Sequence, residues 1–176
     1  MRGVFLIIAA TAALSLVDQS AAIVGARVIW RSQLRCYYNV DQALLGKAAD
    51  FGSELPESRI DLYTDQAITA EVVRQHFEKT GEELPETVLQ EHEAEWSRFI
   101  AVVARKSASA EPIIAAGFQK LALSADSCKD FLKQRLIADK YLEKLATHGE
   151  EQRNQWLSEA KKRLQAKALL KNSVSP

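Results

Sequence analysis

Apolar residues along most of this chain recur at steps of three and four, which is the spacing of one face of an α-helix. The pattern predicts helices over residues 32–52, 56–67, 69–81, 87–106, 110–123, 124–145 and 151–166. The segment 124–145 is apolar on more than one side, which is typical of a central helix. Trp96, Phe99, Phe131 and Trp156 lie on regular stripes and are predicted to belong to the core.

Residues with a preference for helix ends stand at most of these boundaries. Ser32, Thr69 and Ser124 are placed to cap the helices that follow them, and Thr87 with Gln90 has the spacing of a capping box. The glycines that are expected to end helices are Gly52, Gly81 and Gly149.

One segment has the character of β-structure. Residues 21–30 (AAIVGARVIW) form two short β-branched runs around Gly25 and Ala26, which predicts a hairpin with a glycine at a positive φ. The tail, residues 167–176, is a candidate strand beside the hairpin, although periodicity alone leaves this open. With only 7 Gly and 4 Pro in 176 residues, the predicted fold is mainly α: a multi-helix domain with a short N-terminal β-hairpin.

The first residues have the features of an export signal. Met1 and Arg2 precede an uncharged apolar run over residues 4–17, which is too short for an ordinary membrane span. We expect a signal peptide over residues 1–15 and a single domain over 16–176, with no membrane span after signal removal. The alternatives are an uncleaved membrane anchor or a buried N-terminal helix. Cleavage near Ala13 or Ser15 fits better than cleavage after Ala22, which would remove half of the hairpin.

Charge and motifs exclude several functions. The chain has 23 Lys and Arg against 23 Asp and Glu and shows no Lys/Arg stripe with interleaved aromatics, so we expect no nucleic-acid partner. His92 and Glu93 resemble the start of a zinc-protease helix, but Trp96 stands where the second histidine ligand is needed. The sequence contains neither a Gly-x-Ser-x-Gly elbow nor a glycine-rich phosphate loop. We therefore predict no catalytic residue, no metal and no cofactor.

The two cysteines, Cys36 and Cys128, leave two interpretations open. In an oxidising compartment they are able to pair, and the closed loop would stabilise the fold by up to roughly 4 to 5 kcal/mol in the chain-entropy model. Each also lies on the apolar side of its predicted helix, so two buried free thiols are an equal alternative.

Four stretches resemble the N-terminal domain of SurA-type periplasmic chaperones. Residues 17–34 are similar to the family's paired strands, tight turn and capped first helix. Residues 68–72 (ITAEV) resemble its "ITDEEV" helix start, and residues 123–142 resemble its "GLSEEELRERLRRDLLIEKYL" helix. Residues 156–167 are similar to the closing "WLAELRRRAKI" of shorter members. Each motif is loose, and their common order carries the resemblance.

The resemblance implies an ATP-independent periplasmic chaperone that binds unfolded exported or outer-membrane polypeptides. It departs from the family in one respect, because the chain has no room for a parvulin prolyl isomerase domain and no Gly-Gly turn. We therefore expect no isomerase activity.

A holdase needs exposed apolar and aromatic surface, and the hairpin with Trp30, Tyr37 and Tyr38 is the candidate client-binding surface. These three rings could equally belong to the core. The alternative function is a membrane-anchored helical structural or assembly subunit with one fixed partner.

Overall fold

The structure is a computed structural model, and it describes residues 18–47, 51–82, 86–105 and 110–170. The predicted signal peptide over residues 1–15 lies outside the described residues. No helix in the described part of the chain combines the length and the apolar character that crossing a bilayer requires.

The described residues form six α-helices and a small antiparallel sheet, which confirms the predicted fold class. In chain order the elements are β1 (Ser20–Val24), β2 (Arg27–Trp30), α1 (Arg31–Leu44), α2 (Ile60–Thr80), α3 (Glu86–Arg105), α4 (Ala110–Leu121), α5 (Ala125–Ala146), α6 (Glu150–Arg163) and β3 (Lys167–Ala168). A 3-10 turn over Glu57–Arg59 leads into α2.

The sheet has the order β2-β1-β3 and brings the two ends of the domain together. β1 pairs with β2 through Ile23↔Val28 and Val24↔Arg27, and it pairs with β3 through Ala22↔Ala168. The tail therefore does supply a strand beside the hairpin, at Lys167–Ala168.

α1 is shorter than predicted, because it ends at Leu44 and not near Gly52. Gly46 has a φ of 80°, which turns the chain away from the helix axis. Phe51 nevertheless reaches the core from the following loop and packs edge-on against Phe118 at 5.0 Å. The Asn39 side-chain oxygen accepts from Gly52 N at 2.8 Å, which holds this loop against α1. The apolar spacing therefore predicted correctly that Phe51 is buried, but it wrongly extended the helix to this residue.

The predicted helices over 56–67 and 69–81 are one helix, α2, which runs without a break through a buried Thr69. No glycine or proline interrupts the sequence between Ile60 and Thr80, so nothing ends a helix within it. Gly81 ends α2 in the left-handed conformation at a φ of 69°, as predicted.

The structure confirms one of the predicted helix caps, Ser124, and contradicts those at Thr87 and Ser32. Ser124 caps α5 as expected, since its hydroxyl accepts from Ser127 N at 3.0 Å. Thr87 lies inside α3, which begins at Glu86, so the capping-box prediction is wrong. Ser32 is also inside its helix, and the cap position of α1 is Trp30. The Ser32 N–H donates instead to the Asp18 carboxylate at 3.1 Å, across the hairpin.

α5 is the central helix, as its two apolar sides predicted, and it packs on α1, α2, α3 and α6. Cys36 on α1 and Cys128 on α5 form a disulfide with Cα atoms 5.8 Å apart, and both residues are fully buried. This decides between the two interpretations of the cysteines and ties the first helix to the centre of the domain.

Candidate functional site

The hairpin turn has the backbone that its sequence predicts. Gly25 has a φ of 60°, whereas Ala26 is not among the residues with a positive φ. A two-residue loop with only its first residue at positive φ is a type II′ turn, which matches the twist of the two strands. The Gly25 N–H also donates to Leu164 O at 2.6 Å, so the turn is fastened to the end of α6.

One side of the hairpin is apolar and open. Ile29 is buried at 2% exposure, and Val28 and Trp30 on either side of it are 40% and 43% exposed. Since successive side chains of a strand point to opposite faces, Val28 and Trp30 share the outer one. Ile23 is half-buried directly opposite Val28. We call Ile23, Val28 and Trp30 the hairpin face.

β2 also presents a free strand edge. Among the described strands it pairs only with β1. Val24↔Arg27 closes the two-residue turn and is therefore the hydrogen-bonded pair, so the next pair, Ile23↔Val28, is the non-hydrogen-bonded one. The N–H and C=O of Val28 consequently point away from β1. An extended polypeptide could pair with this edge while its side chains contact the hairpin face.

Side chains from α2 hold the hairpin in place. Gln75 Nε2 donates to Val24 O at 3.0 Å, directly beneath the turn. Arg27 at the start of β2 lies 3.7 Å from the Glu71 carboxylate and 3.5 Å from that of Glu78. These contacts with α2 therefore hold the hairpin in a fixed position.

The three predicted surface residues do not lie together. Trp30 is on the hairpin face, but Tyr37 is fully buried between α1 and α5. The Tyr37 hydroxyl donates to Phe131 O at 3.1 Å, and the Arg135 guanidinium lies 5.0 Å from the centre of the Tyr37 ring. Burial raises the pKa of Tyr37 to about 12. Tyr37 is thus a core residue in this structure.

Tyr38 has an intermediate position. It is half-buried and packs edge-on against Tyr63 on α2, with the ring centres 5.9 Å apart. It belongs to the shell around the core and not to the hairpin face. Of the four stripe aromatics predicted to belong to the core, Phe99 is fully buried, whereas Trp96, Phe131 and Trp156 are half-buried and pack against the core from its shell.

Two exposed apolar residues in or beside the sheet, Val28 and Leu169, were not among the predicted surface residues. Val28 was recognisable in principle, because it alternates with Ile29 in a strand. Leu169 is 40% exposed just after β3, and its N–H donates to Ala21 O at 2.8 Å. No local signal places Leu169 beside the hairpin, since that position depends on pairing between the two ends of the chain.

A groove lies at the turn end of the sheet, between the hairpin, the second half of α2 and the end of α6. Its volume is about 460 Å³. The charged side chains that line it are Arg27, Glu78, Lys79 and Arg163. Glu78 is already engaged by Arg74 and Arg27, whereas Lys79 and Arg163 form no salt bridge with any described residue. The groove therefore has an excess of positive charge.

His92 and His76 pack within the described structure, whereas His148 is exposed. His92 is 4% exposed, and its Nε2 lies 2.9 Å from Lys129 O. His76 Nε2 lies 3.1 Å from the Tyr141 hydroxyl, and its ring packs against Trp156. Across the described ranges, no three His, Cys, Asp or Glu side chains converge as metal ligands would.

Comparison of the chain with protein-family models, with curated proteins and with solved structures found no match.

Proposed function

We propose that this protein is an exported, ATP-independent chaperone that binds unfolded polypeptides along β2 and the hairpin face. It acts as a holdase in the periplasm, its clients are exported or outer-membrane polypeptides, and it has no prolyl isomerase activity. The observation that carries the proposal is an exposed Trp30 beside an exposed Val28, on a strand whose outer edge pairs with no described strand.

The disulfide supports export. Bridges of this kind persist in oxidising compartments and are rare in the cytosol of most organisms. Cys36 and Cys128 are paired and fully buried, and the chain starts with a short apolar run over residues 4–17. Both features agree with passage to the periplasm.

The size of the hairpin face suits transient binding. The exposed 43% of Trp30 amounts to roughly 100 Å², and covering it is worth about 2.5 kcal/mol, to which Val28 adds about 1 kcal/mol. A sum of this size corresponds to a Kd on the order of 1 mM before any cost of ordering the client. Backbone pairing at Val28 adds affinity that does not depend on client sequence. Weak, general contacts of this kind allow release without ATP.

The test is an aggregation-suppression assay with an unrelated, chemically unfolded protein. We expect the wild-type protein to slow aggregation and Trp30→Ser to lose most of this effect. Serine is a favoured N-cap residue, so this change leaves the start of α1 supported. Leu45→Ser is the matched control, because Leu45 is 70% exposed at the opposite end of α1 and should leave the activity unchanged.

Two results would contradict the proposal. One is a wild-type protein that leaves aggregation unaffected, which would favour the alternative of a membrane-anchored subunit with a single fixed partner. The other is an equal loss of activity in Trp30→Ser and Leu45→Ser, which would separate the activity from the hairpin face.

A further inference from the structure

We infer that the groove at the turn end of the sheet binds a carboxylate at the C-terminal end of the polypeptide segment that pairs with β2. This inference rests on the proposed function and adds a charged element to it. The juxtaposition that carries it is a groove of about 460 Å³ that adjoins Arg27, the first residue of β2, and has Lys79 and Arg163 in its walls.

The electrostatics of the groove favour an anion. Three cationic side chains and the carboxylate of Glu78 line it, and one of the three cations, Arg27, is already engaged by Glu71 and Glu78. Glu78 is neutralised within the protein, since Arg74 contacts it and Arg27 lies 3.5 Å away. Lys79 and Arg163 lack such partners among the described residues, so their charges are available to a ligand.

Basic residues are concentrated in the sequence around Arg163. The whole chain has no net charge, but residues 160–171 contain five basic residues and no acidic one. The basic residues are Lys161, Lys162, Arg163, Lys167 and Lys171. Lys161, Lys162 and Arg163 lie in the last turn of α6, and Lys167 lies in β3. Lys161 is paired with Asp65, and Arg163 is the one of these residues that lines the groove.

Strand polarity determines which end of the client reaches the groove. β2 runs from Arg27 to Trp30, and its free backbone groups are those of Val28. In an antiparallel pairing, which is slightly the more stable arrangement, the later residues of the client lie opposite Arg27. The C-terminal end of the client segment therefore emerges at the groove, where it meets Lys79 and Arg163.

The experiment measures the affinity of the full chain for short, N-terminally labelled peptides of alternating valine and threonine by fluorescence anisotropy. One peptide ends in a free carboxylate, one in an amide, and one in an aspartate followed by an amide. We expect both carboxylate-bearing peptides to bind about two- to fivefold more tightly than the amide, with the preference falling as salt is added. If only the peptide with the free C-terminal acid binds more tightly, the groove recognises the main-chain carboxylate. If both carboxylate-bearing peptides bind more tightly, it recognises a carboxylate from either source.

Charge variants locate the effect. Lys79→Gln combined with Arg163→Gln should abolish the preference for the carboxylate and leave binding of the amide peptide unchanged. Lys47→Gln is the matched control, because Lys47 is an exposed cation beyond the far end of α1 and should leave the preference intact. Equal affinity of the acid and amide peptides, or loss of the preference in Lys47→Gln, would overturn the inference.

Failure of the inference is distinguishable from failure of the proposed function. Trp30→Ser should weaken all three peptides by the same factor, because it removes apolar contact and not charge. If the peptides bind and respond to Trp30→Ser but show no carboxylate preference, the groove inference is wrong and the chaperone proposal stands. If none of the peptides binds, β2 is not a polypeptide site and both are wrong.

Discussion

Trp30 and Tyr37 are seven residues apart in the sequence, yet one ring is 43% exposed and the other is completely buried. Trp30 stands where β2 passes into α1, on the same outer face of the strand as Val28. Tyr37 lies two turns along α1, where α5 packs against the helix and supplies Phe131 O and Arg135 as partners. What decides between surface and core is thus the packing partner and not the aromatic character of the residue.

The same contrast separates two regions of the domain. The region around Cys36 and Tyr37 is closed by a covalent bridge, a buried hydroxyl and a cation over an aromatic ring. The hairpin region keeps its apolar side chains open and is held from below by polar contacts from α2 and Asp18. A scaffold that is stable at one end can carry an exposed, adhesive surface at the other.

The largest effect should follow from opening the covalent bridge. The 92-residue separation of the two cysteines implies a stabilisation of about 4 to 5 kcal/mol in the chain-entropy model. Cys36→Ala with Cys128→Ala should lower the free energy of unfolding by about this amount, as measured by urea denaturation. Reduced wild-type protein should match the double variant. Detection of free thiols in the denatured, unreduced protein would show that the bridge does not form.

The second effect concerns the buried Tyr37 hydroxyl and is visible as a pH dependence. Its pKa in the folded state is about 12 against an ordinary value of 10.0, so the unfolded chain loses this proton first as the pH rises. The free energy of unfolding therefore has its full value below pH 10 and falls progressively toward pH 12, by on the order of 2 kcal/mol. Burial and the Asp41 carboxylate raise the pKa of Tyr63 as well, so part of the total loss belongs to that residue.

The variant Tyr37→Phe separates the contribution of Tyr37 to this alkaline loss of stability from that of Tyr63. The variant should be less stable than the wild type by about 1 kcal/mol at pH 7, since it loses the hydrogen bond to Phe131 O. It should also lose less stability than the wild type between pH 10 and pH 12. Parallel alkaline profiles for the two proteins would mean that Tyr37 ionises as readily in the fold as in the unfolded chain.

Local signals in the sequence were sufficient for several elements. The hairpin follows from β-branched runs around Gly25, and the start of α5 follows from the Ser124 hydroxyl, because each depends on residues that are neighbours in the chain. The end of α1 was not predictable in this way. Phe51 continues the apolar spacing of the helix although it stands in a loop, since spacing reports burial and not backbone conformation.

The parts of the site that depend on tertiary contacts could not be predicted from the sequence. The groove combines the turn before β2 with the ends of α2 and α6, and no single segment contains its charge pattern. The choice between a disulfide and two free thiols also required the distance between α1 and α5. Tyr37 and Trp30 were equivalent candidates in the sequence because nothing local shows that α5 covers only one of them.

The smallest effect tests how the open region is anchored. Asp18 accepts from Ser32 N at 3.1 Å and also contacts the Ser32 hydroxyl, so its carboxylate caps α1 from outside the helix. Asp18→Ala should lower the free energy of unfolding by about 1 kcal/mol, the usual value of a helix cap, in urea denaturation. Ser32→Ala should cost less, because the backbone N–H of residue 32 keeps its bond to Asp18. Equal losses in the two variants would mean that the hydroxyl, and not the cap at the backbone, carries the stabilisation. Cleavage of the signal peptide after Asp18 would remove the same carboxylate, because the mature chain would keep all of α1 but lose its cap.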